Sequence, residues 1–238
     1  MTKSGKYFQF KQFDVHHDRC TMKVGTDGVL LGTWVNIRNA TRILDIGTGS
    51  GVIALILAQR SAAETGIDAV EVEEQDATQA MENALGSPWP KKIKIHHTSI
   101  QQFTTRKKYD LIVSNPPYFI NSQQPPDAKR IQARHTVTLN HTDLLRAVTN
   151  YLHPSGAFNI VLPFTEGLQF IDLARTFALH CSRQWSFRTR NEKPIERWLL
   201  EFSSEVKTME TGEILLYDRD TNWSESYRNL TRDFYLKA

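Results

Sequence analysis

A doubly wound α/β domain with a mostly parallel central sheet is the fold this sequence predicts, and three observations predict it. From Arg42 onward, short apolar runs alternate with runs of helical periodicity, the pattern of parallel strands joined by crossover helices. The first of those strands runs directly into a turn carrying Gly47, Gly49 and Gly51, which opens the next helix. The chain has 238 residues, 40% of them hydrophobic, which is enough for one sizeable core and a small appendage.

Taken in order, the alternating aromatics of "KYFQFKQFDV" predict a strand or hairpin, and "TDGVLLGTWV" a helix capped by Thr26. Residues 1–40 are too few for a domain of their own and are expected to be an extension of the domain at 41–238. There "RILDI" reads as a strand, "GVIALILAQRS" as a helix, "GIDAVE" as a strand and "EEQDATQAMENAL" as a helix. "KIKIHH" and "YDLIVS" follow as strands, "HTDLLRAVTNYL" as a helix ending before Pro154 and Gly156, and "GAFNIVLP" as a further strand. After "TEGLQFIDLARTFALH" come "RQWSFRTR" and "RWLLEFS", then a polar hairpin and an amphipathic tail. No internal repeat is visible, and "NSQQPPD" reads as a surface loop.

Composition excludes several classes. No apolar run approaches the roughly 20 residues of a membrane span, and the start has no apolar leader, so a soluble cytoplasmic protein is expected. Cys20 and Cys181 are far apart and predict reduced thiols rather than a disulfide or zinc site. The pairs His16-His17 and His96-His97 lack metal-ligand spacing, so no metal is expected. A net charge of +3 permits an anionic partner without requiring one.

The glycine turn is the first chemical signal. In an open α/β sheet, ligands bind at the carboxyl edge where such turns lie. The spacing is GxGxG, with Asp45 just inside the strand; it departs from the dinucleotide fingerprint, and no GK[ST] follows to hold a triphosphate. Any strand-to-helix turn can carry glycines for turning alone, but two more features sit where a nucleoside needs them. Glu71 ends the second strand, placed to accept from ribose hydroxyls, and Ser99, Ile100 and Gln101 follow the third, placed to border a purine. A ribose clamp, an adenine slot and a glycine turn without phosphate chemistry describe S-adenosylmethionine.

"LDIGTGSG" resembles the first motif of the class I methyltransferases, and "NPPY" the fourth motif of those that methylate amino groups conjugated to a ring or amide. Over nearly the whole chain the sequence resembles the bacterial tRNA (adenine-N6)-methyltransferases that modify the adenine beside the anticodon of the first valine tRNA. "FKQFDVHHDRCTMKVGTDGVLLGTW" is the most specific segment, supported by "QQF", "QARHT" and "SESYRNLTRDFYL". The resemblance implies a seven-stranded Rossmann-like sheet with an antiparallel last strand, and methyl transfer from S-adenosylmethionine to N6 of adenine 37. It implies that Lys23, Gly25, Thr26 and Asp27 fold over the methionine end of the cofactor, Asp27 meeting its ammonium group. Similar enzymes carry aspartate where Ser99 stands, the residue expected to hold the cofactor's adenine amine.

Asn115, Pro116, Pro117 and Tyr118 are the expected catalytic residues. An adenine amine is a poor nucleophile because its lone pair is delocalised into the ring. Acceptors on its two N–H bonds, the Asn115 side-chain oxygen and the Pro116 carbonyl, would draw the nitrogen towards tetrahedral geometry. Successive prolines hold those carbonyls rigidly and offer no competing donors. Tyr118 and Phe119 would contact the splayed base. Lys129, Arg130, Arg134 and His135 leave that turn, and Arg183, Arg188, Arg190, Lys193 and Arg197 form a second basic group; both are expected to meet RNA phosphates. The expected partner is the anticodon loop of a valine tRNA, bound by a monomer. Rival readings are glutamine-amide methylation in a release factor, ribosomal guanine methylation, DNA adenine methylation and an inactive RNA-binding module.

Overall fold

The structure, a computed structural model, describes residues 5–37, 39–117, 139–218 and 222–236. Tyr118, Phe119, Lys129, Arg130, Arg134 and His135 lie outside them.

Strands β1 (Tyr7–Gln9) and β2 (Asp14–His16) form a small antiparallel hairpin, followed by an irregular stretch and helix α1 (Thr26–Trp34). The main sheet then builds through β3 (Arg42–Ile46), α2 (Val52–Arg60), β4 (Gly66–Glu71), α3 (Glu74–Gly86), β5 (Ile93–His97) and β6 (Tyr109–Ser114). It continues with α4 (His141–Tyr151), β7 (Leu152–Pro163), α5 (Phe164–Arg175), β8 (His180–Arg188), β9 (Arg197–Ser203), β10 (Glu210–Leu215) and α6 (Glu225–Thr231). The order across the sheet is β10-β8-β9-β7-β6-β3-β4-β5. All pairs from β5 to β7 are parallel, and β9 runs antiparallel to both β7 and β8.

The central strands are buried on both faces, as parallel strands under helices must be. One core packs α1 and α2 against the sheet and takes in Ala84 of α3 and Tyr227 of α6; the other packs α4 and α5 against the opposite face. Helix α2 buries every residue from Val52 to Ala58 because the sheet lies on one side and α1 on the other. Close approach is set by Gly32, where a Cβ would come within 3.0 Å of Ile56.

Three sequence expectations change here. Thr26 is the first helical residue of α1, and the cap is Gly25, without a side-chain capping bond. The polar segment after β9 passes β8 and pairs with its outer edge in parallel as β10, and only beyond that strand do Tyr217 and Trp223 meet in an isolated antiparallel bridge. Among the described residues the sheet therefore has eight strands, the additional one being this polar edge strand.

Candidate active site

The carboxyl ends of β3, β4 and β6 meet at one edge, with β3 between the other two. Between Ile46 and Val52 the chain turns on Gly47, Gly49 and Gly51, whose φ angles are +73°, +55° and +82°. Left-handed backbone at three alternate positions is what only glycine adopts without strain. The N–H groups of Gly47 and Thr48 both donate to the Val70 carbonyl, at 2.9 and 3.1 Å, so the turn is tied to the end of β4.

Two carboxyls flank this turn. Asp45 is fully buried; its Oδ2 accepts from the Thr48 hydroxyl at 2.6 Å, and its Oδ1 has no partner among the described residues. Burial, with the Glu71 charge adding to it, pushes the Asp45 carboxyl up to about 7. Glu71 is also buried, and burial raises its pKa by more than its backbone donors lower it. Its Oε2 accepts from Gly49 N–H at 2.8 Å, and its Oε1 from Val72 and Glu73 N–H at 2.8 and 3.0 Å. A carboxylate offers about four acceptor sites. Three are occupied by backbone, so Glu71 both braces the glycine turn and keeps one site for a ligand.

Strand β6 delivers Asn115 to the same edge. Ser114 is buried and donates to the Ile46 carbonyl at 2.9 Å, locking the end of β6 against the start of the glycine turn. Asn115 is half-buried, Pro116 buried and Pro117 exposed. The Asn115 side chain points towards α1: a Cβ on Gly28 would lie 3.9 Å from Asn115 Nδ2.

Residues 16–21 pack along α3, and the segment continues to Asp27. Asn83 accepts from His16 N–H at 2.9 Å and donates to the carbonyls of His16 at 2.7 Å and Ser50 at 2.9 Å. Thr21 N–H donates to Asp76 at 2.8 Å, and Arg19 pairs with Glu82. The strap thus runs along α3 from Asn83 towards its N-terminus. Cys20 on it has its thiol pushed up to about 12, by burial and then by Asp76 and Glu71, which makes it a poor nucleophile. His17 is held neutral by burial and accepts from Val24 N–H at 3.2 Å. Lys23, Gly25 and Thr26 are exposed. Asp27 accepts from Arg197 Nε at 2.9 Å, joining the strap to the start of β9.

Comparison with known proteins identifies the family and the fold. A family model described as the methyltransferase small domain matches residues 22–180. The tRNA1(Val) (adenine(37)-N6)-methyltransferase of Aeromonas hydrophila is 46% identical over 97% of this chain and 97% of its own. The protein of the same name from Parabacteroides distasonis is 45% identical over 97% of this chain and 98% of its own. The chain belongs to the tRNA1(Val) (adenine(37)-N6)-methyltransferase family. In fold it is similar to a predicted O-methyltransferase from Agrobacterium tumefaciens, with a TM-score of 0.65, 13% identity, and 87% and 96% of the two chains covered.

Within this methyltransferase, the third element of the expected cofactor site is the turn after β5. Ser99 is half-buried and Ile100 buried; the Ser99 carbonyl accepts from Phe103 N–H at 2.9 Å, and its hydroxyl from Gln102 N–H at 3.3 Å. Gln101 is exposed and reaches Asp143 of α4 at 3.4 Å. Thr98 N–H donates to the Glu71 carbonyl, holding this turn beside the end of β4.

The second basic group divides. Arg183 faces inwards, 4.2 Å above the Trp34 ring and paired with Glu201 at 3.3 Å, because a buried carboxylate needs a cation. Arg188 pairs with Glu213 at 2.8 Å, and Arg190 lies 5.5 Å over Tyr217. Since β8 runs the same way as β7, the loop from Thr189 to Glu196 falls at the carboxyl edge with Asn115.

Asn83 and Asp76 escaped the sequence reading. They lie at seven-residue spacing with Gln79 between them, a buried polar stripe on α3 that from sequence resembles a solvated face. Two concavities, of about 820 Å³ between the hairpin and α3 and about 620 Å³ between the hairpin, α2 and α6, contain none of the residues of the carboxyl edge. We place the chemistry at the edge because its polar groups converge there. Among the described residues no His/Cys/Asp/Glu cluster suits a metal, and no helix is long and apolar enough to cross a membrane.

Proposed function

We propose that this methyltransferase transfers a methyl group from S-adenosylmethionine to N6 of adenine 37 in tRNA1(Val). The observation that carries the reading is the meeting of Asn115-Pro116-Pro117 with the glycine turn on adjacent parallel strands, through the Ser114 bond to Ile46. The residues suit the cofactor. Asp45 keeps an unpartnered buried oxygen, Glu71 keeps an acceptor site, the glycine turn presents no Cβ, and Ser99 and Ile100 border a neighbouring slot.

When bound, S-adenosylmethionine supplies an electrophilic methyl group on a sulfonium. The protein's part is to hold the acceptor. Asn115 Oδ1 and the Pro116 carbonyl take the two N–H bonds of the adenine amine and free its lone pair for in-line attack. A group with no N–H at two successive positions cannot turn a donor towards that amine. The proton lost afterwards comes from a nitrogen made acidic by methylation, so no strong base is required. Residues 1–40 serve as an extension that covers the cofactor, with Lys23, Gly25, Thr26 and Asp27 at its methionine end. Arg188 and Arg190, and the chain that follows Asn115, orient the anticodon loop through its phosphates.

The test is incubation with labelled S-adenosylmethionine and unfractionated tRNA from a strain lacking the enzyme, followed by nucleoside mass analysis. N6-methyladenosine at one position of one valine tRNA is the expected product. Unlabelled tRNA, with label in protein glutamine or in N2-methylguanosine when release factor or ribosomal RNA is supplied instead, would replace this reading with one of its rivals.

A further inference from the structure

A surface beside the catalytic turn is unassigned. Helix α5 follows β7 without a break, so its first residue, Phe164, stands at the carboxyl edge one strand from β6. Ile160 lies level with Ser114, which puts Phe164 on the order of 10 Å from Asn115 by strand dimensions. Phe164 is 39% exposed, and Leu168, one helical turn on, is 41% exposed. Single exposed apolar residues are ordinary. This one is supported from beneath: Trp198, at the same edge on β9, stacks on Phe164 with ring centroids 5.8 Å apart and planes at 27°. Space for that indole is made by Gly167, where a Cβ would fall 2.7 Å from Trp198 Cδ1. The basic loop of Arg188, Arg190 and Lys193 rises from the same edge and offers the charge a nucleic acid requires.

We propose that Phe164, backed by Trp198 and flanked by Leu168, is a stacking platform for a nucleobase next to the target adenine. The proposal rests on the RNA reading above. A base turned out of the anticodon loop leaves its neighbour unstacked, and an aromatic face at this distance replaces the lost partner. The ring is held flat by the indole below it, so little side-chain freedom is lost when the base arrives. Phe164 is a positioning residue; it touches neither the methyl group nor the amine.

The experiment uses Phe164→Leu, which keeps an apolar side chain and removes the ring, and Phe164→Tyr, which keeps the ring. With the full-length enzyme and valine tRNA, KM for tRNA is expected to rise about tenfold in the leucine variant, with kcat and the affinity for S-adenosylhomocysteine within about twofold of wild type. The tyrosine variant is expected to match wild type. In parallel, a valine anticodon stem-loop carrying 2-aminopurine on either side of the target adenine is titrated against each protein. Quenching with wild type and Phe164→Tyr, and its loss with Phe164→Leu, supports the platform. Equal KM and equal quenching in the leucine variant overturn it. Quenching is a binding signal independent of turnover, so wild-type quenching without any methylation counts against the proposed reaction and not against the platform.

Discussion

The two sides of the carboxyl edge are built by opposite means. On one side, residues 45–51, Glu71 and 114–117 come from three neighbouring parallel strands, held by backbone bonds to Val70 and by the short side-chain bonds of Glu71 to Gly49 and of Ser114 to Ile46. On the other, residues 16–27 carry little regular structure and are held by the side chains of α3, chiefly Asn83 and Asp76. The difference teaches where each side is vulnerable. The strand side tolerates side-chain changes in shape while losing chemistry. The strap side loses position when a single amide is removed.

The sharpest break comes from Asn115→Ala. The variant loses one acceptor for the target amine and leaves the Ser114 bond and the glycine turn untouched. Removal of one preorganised polar group of this kind costs about 10²–10³ in kcat. Turnover on saturating tRNA is expected to fall by that factor, with S-adenosylhomocysteine affinity by calorimetry nearly unchanged. Near-normal turnover would remove Asn115 from the chemistry.

Asn83→Ala breaks the other side. Asn83 is buried and makes three bonds, two to the strap at His16 and one to the glycine turn at Ser50. Its loss leaves the buried Ser50 carbonyl and the part-buried backbone groups of His16 without their partner, at about 1–3 kcal/mol. For a chain of this size that lowers Tm by several degrees, at roughly 2–4 °C per kcal/mol. Cofactor affinity is expected to fall with it, because the amide joins the strap to the turn. A lower Tm with unchanged affinity would show that the strap has no part in cofactor binding.

That contrast also explains what was legible. "RILDI" and "GIDAVE" coincide with β3 and β4 residue for residue, since a short apolar run bounded by turn residues has few alternatives. The glycine turn and Asn-Pro-Pro are contiguous, so their chemistry shows in a window of a few residues. The strap bonds span 55 and 67 positions, and a buried Asn on a helix looks in sequence like an exposed one. β10 was missed for a related reason: "ETGEIL" is polar because it lies at the sheet edge, and its partner is β8 and not the adjacent β9. Arg183 read as a surface cation, and only the fold brings it to Trp34 and Glu201.

A smaller effect separates the two carboxyls on the strand side. Asp45 is raised to about 7 in the folded chain, against an unfolded value near 3.9. Between those values the folded state binds more protons than the unfolded one, so Asp45's contribution to stability falls as pH rises from about 4 to about 7 and is level above. Asp45→Asn removes that titration. Relative to the variant, the wild type is expected to lose Tm steadily across this window. Parallel Tm curves for the two proteins would mean that the carboxyl is ionised throughout.

The smallest expected effect concerns Ser99, where the family resemblance leads us to expect an aspartate. Its hydroxyl accepts from Gln102 N–H at a long 3.3 Å, so as a turn cap it is weak and as a cofactor contact it is partly committed. An aspartate has two oxygens, one to keep the Gln102 bond and one to meet the cofactor's adenine amine with full charge. Ser99→Asp is therefore expected to tighten S-adenosylhomocysteine by about 1 kcal/mol, the difference between a neutral and a charge-assisted hydrogen bond. Glu71 opposes this, since the new carboxylate stands near a buried acid whose backbone is bonded to Thr98. The repulsion is separable: placing Ser99→Asp on a Glu71→Gln background removes it and should enlarge the gain. Titrations of the four proteins decide the matter. If aspartate binds no more tightly in either background, the adenine amine is held by a group other than residue 99, most simply a backbone carbonyl or Gln101.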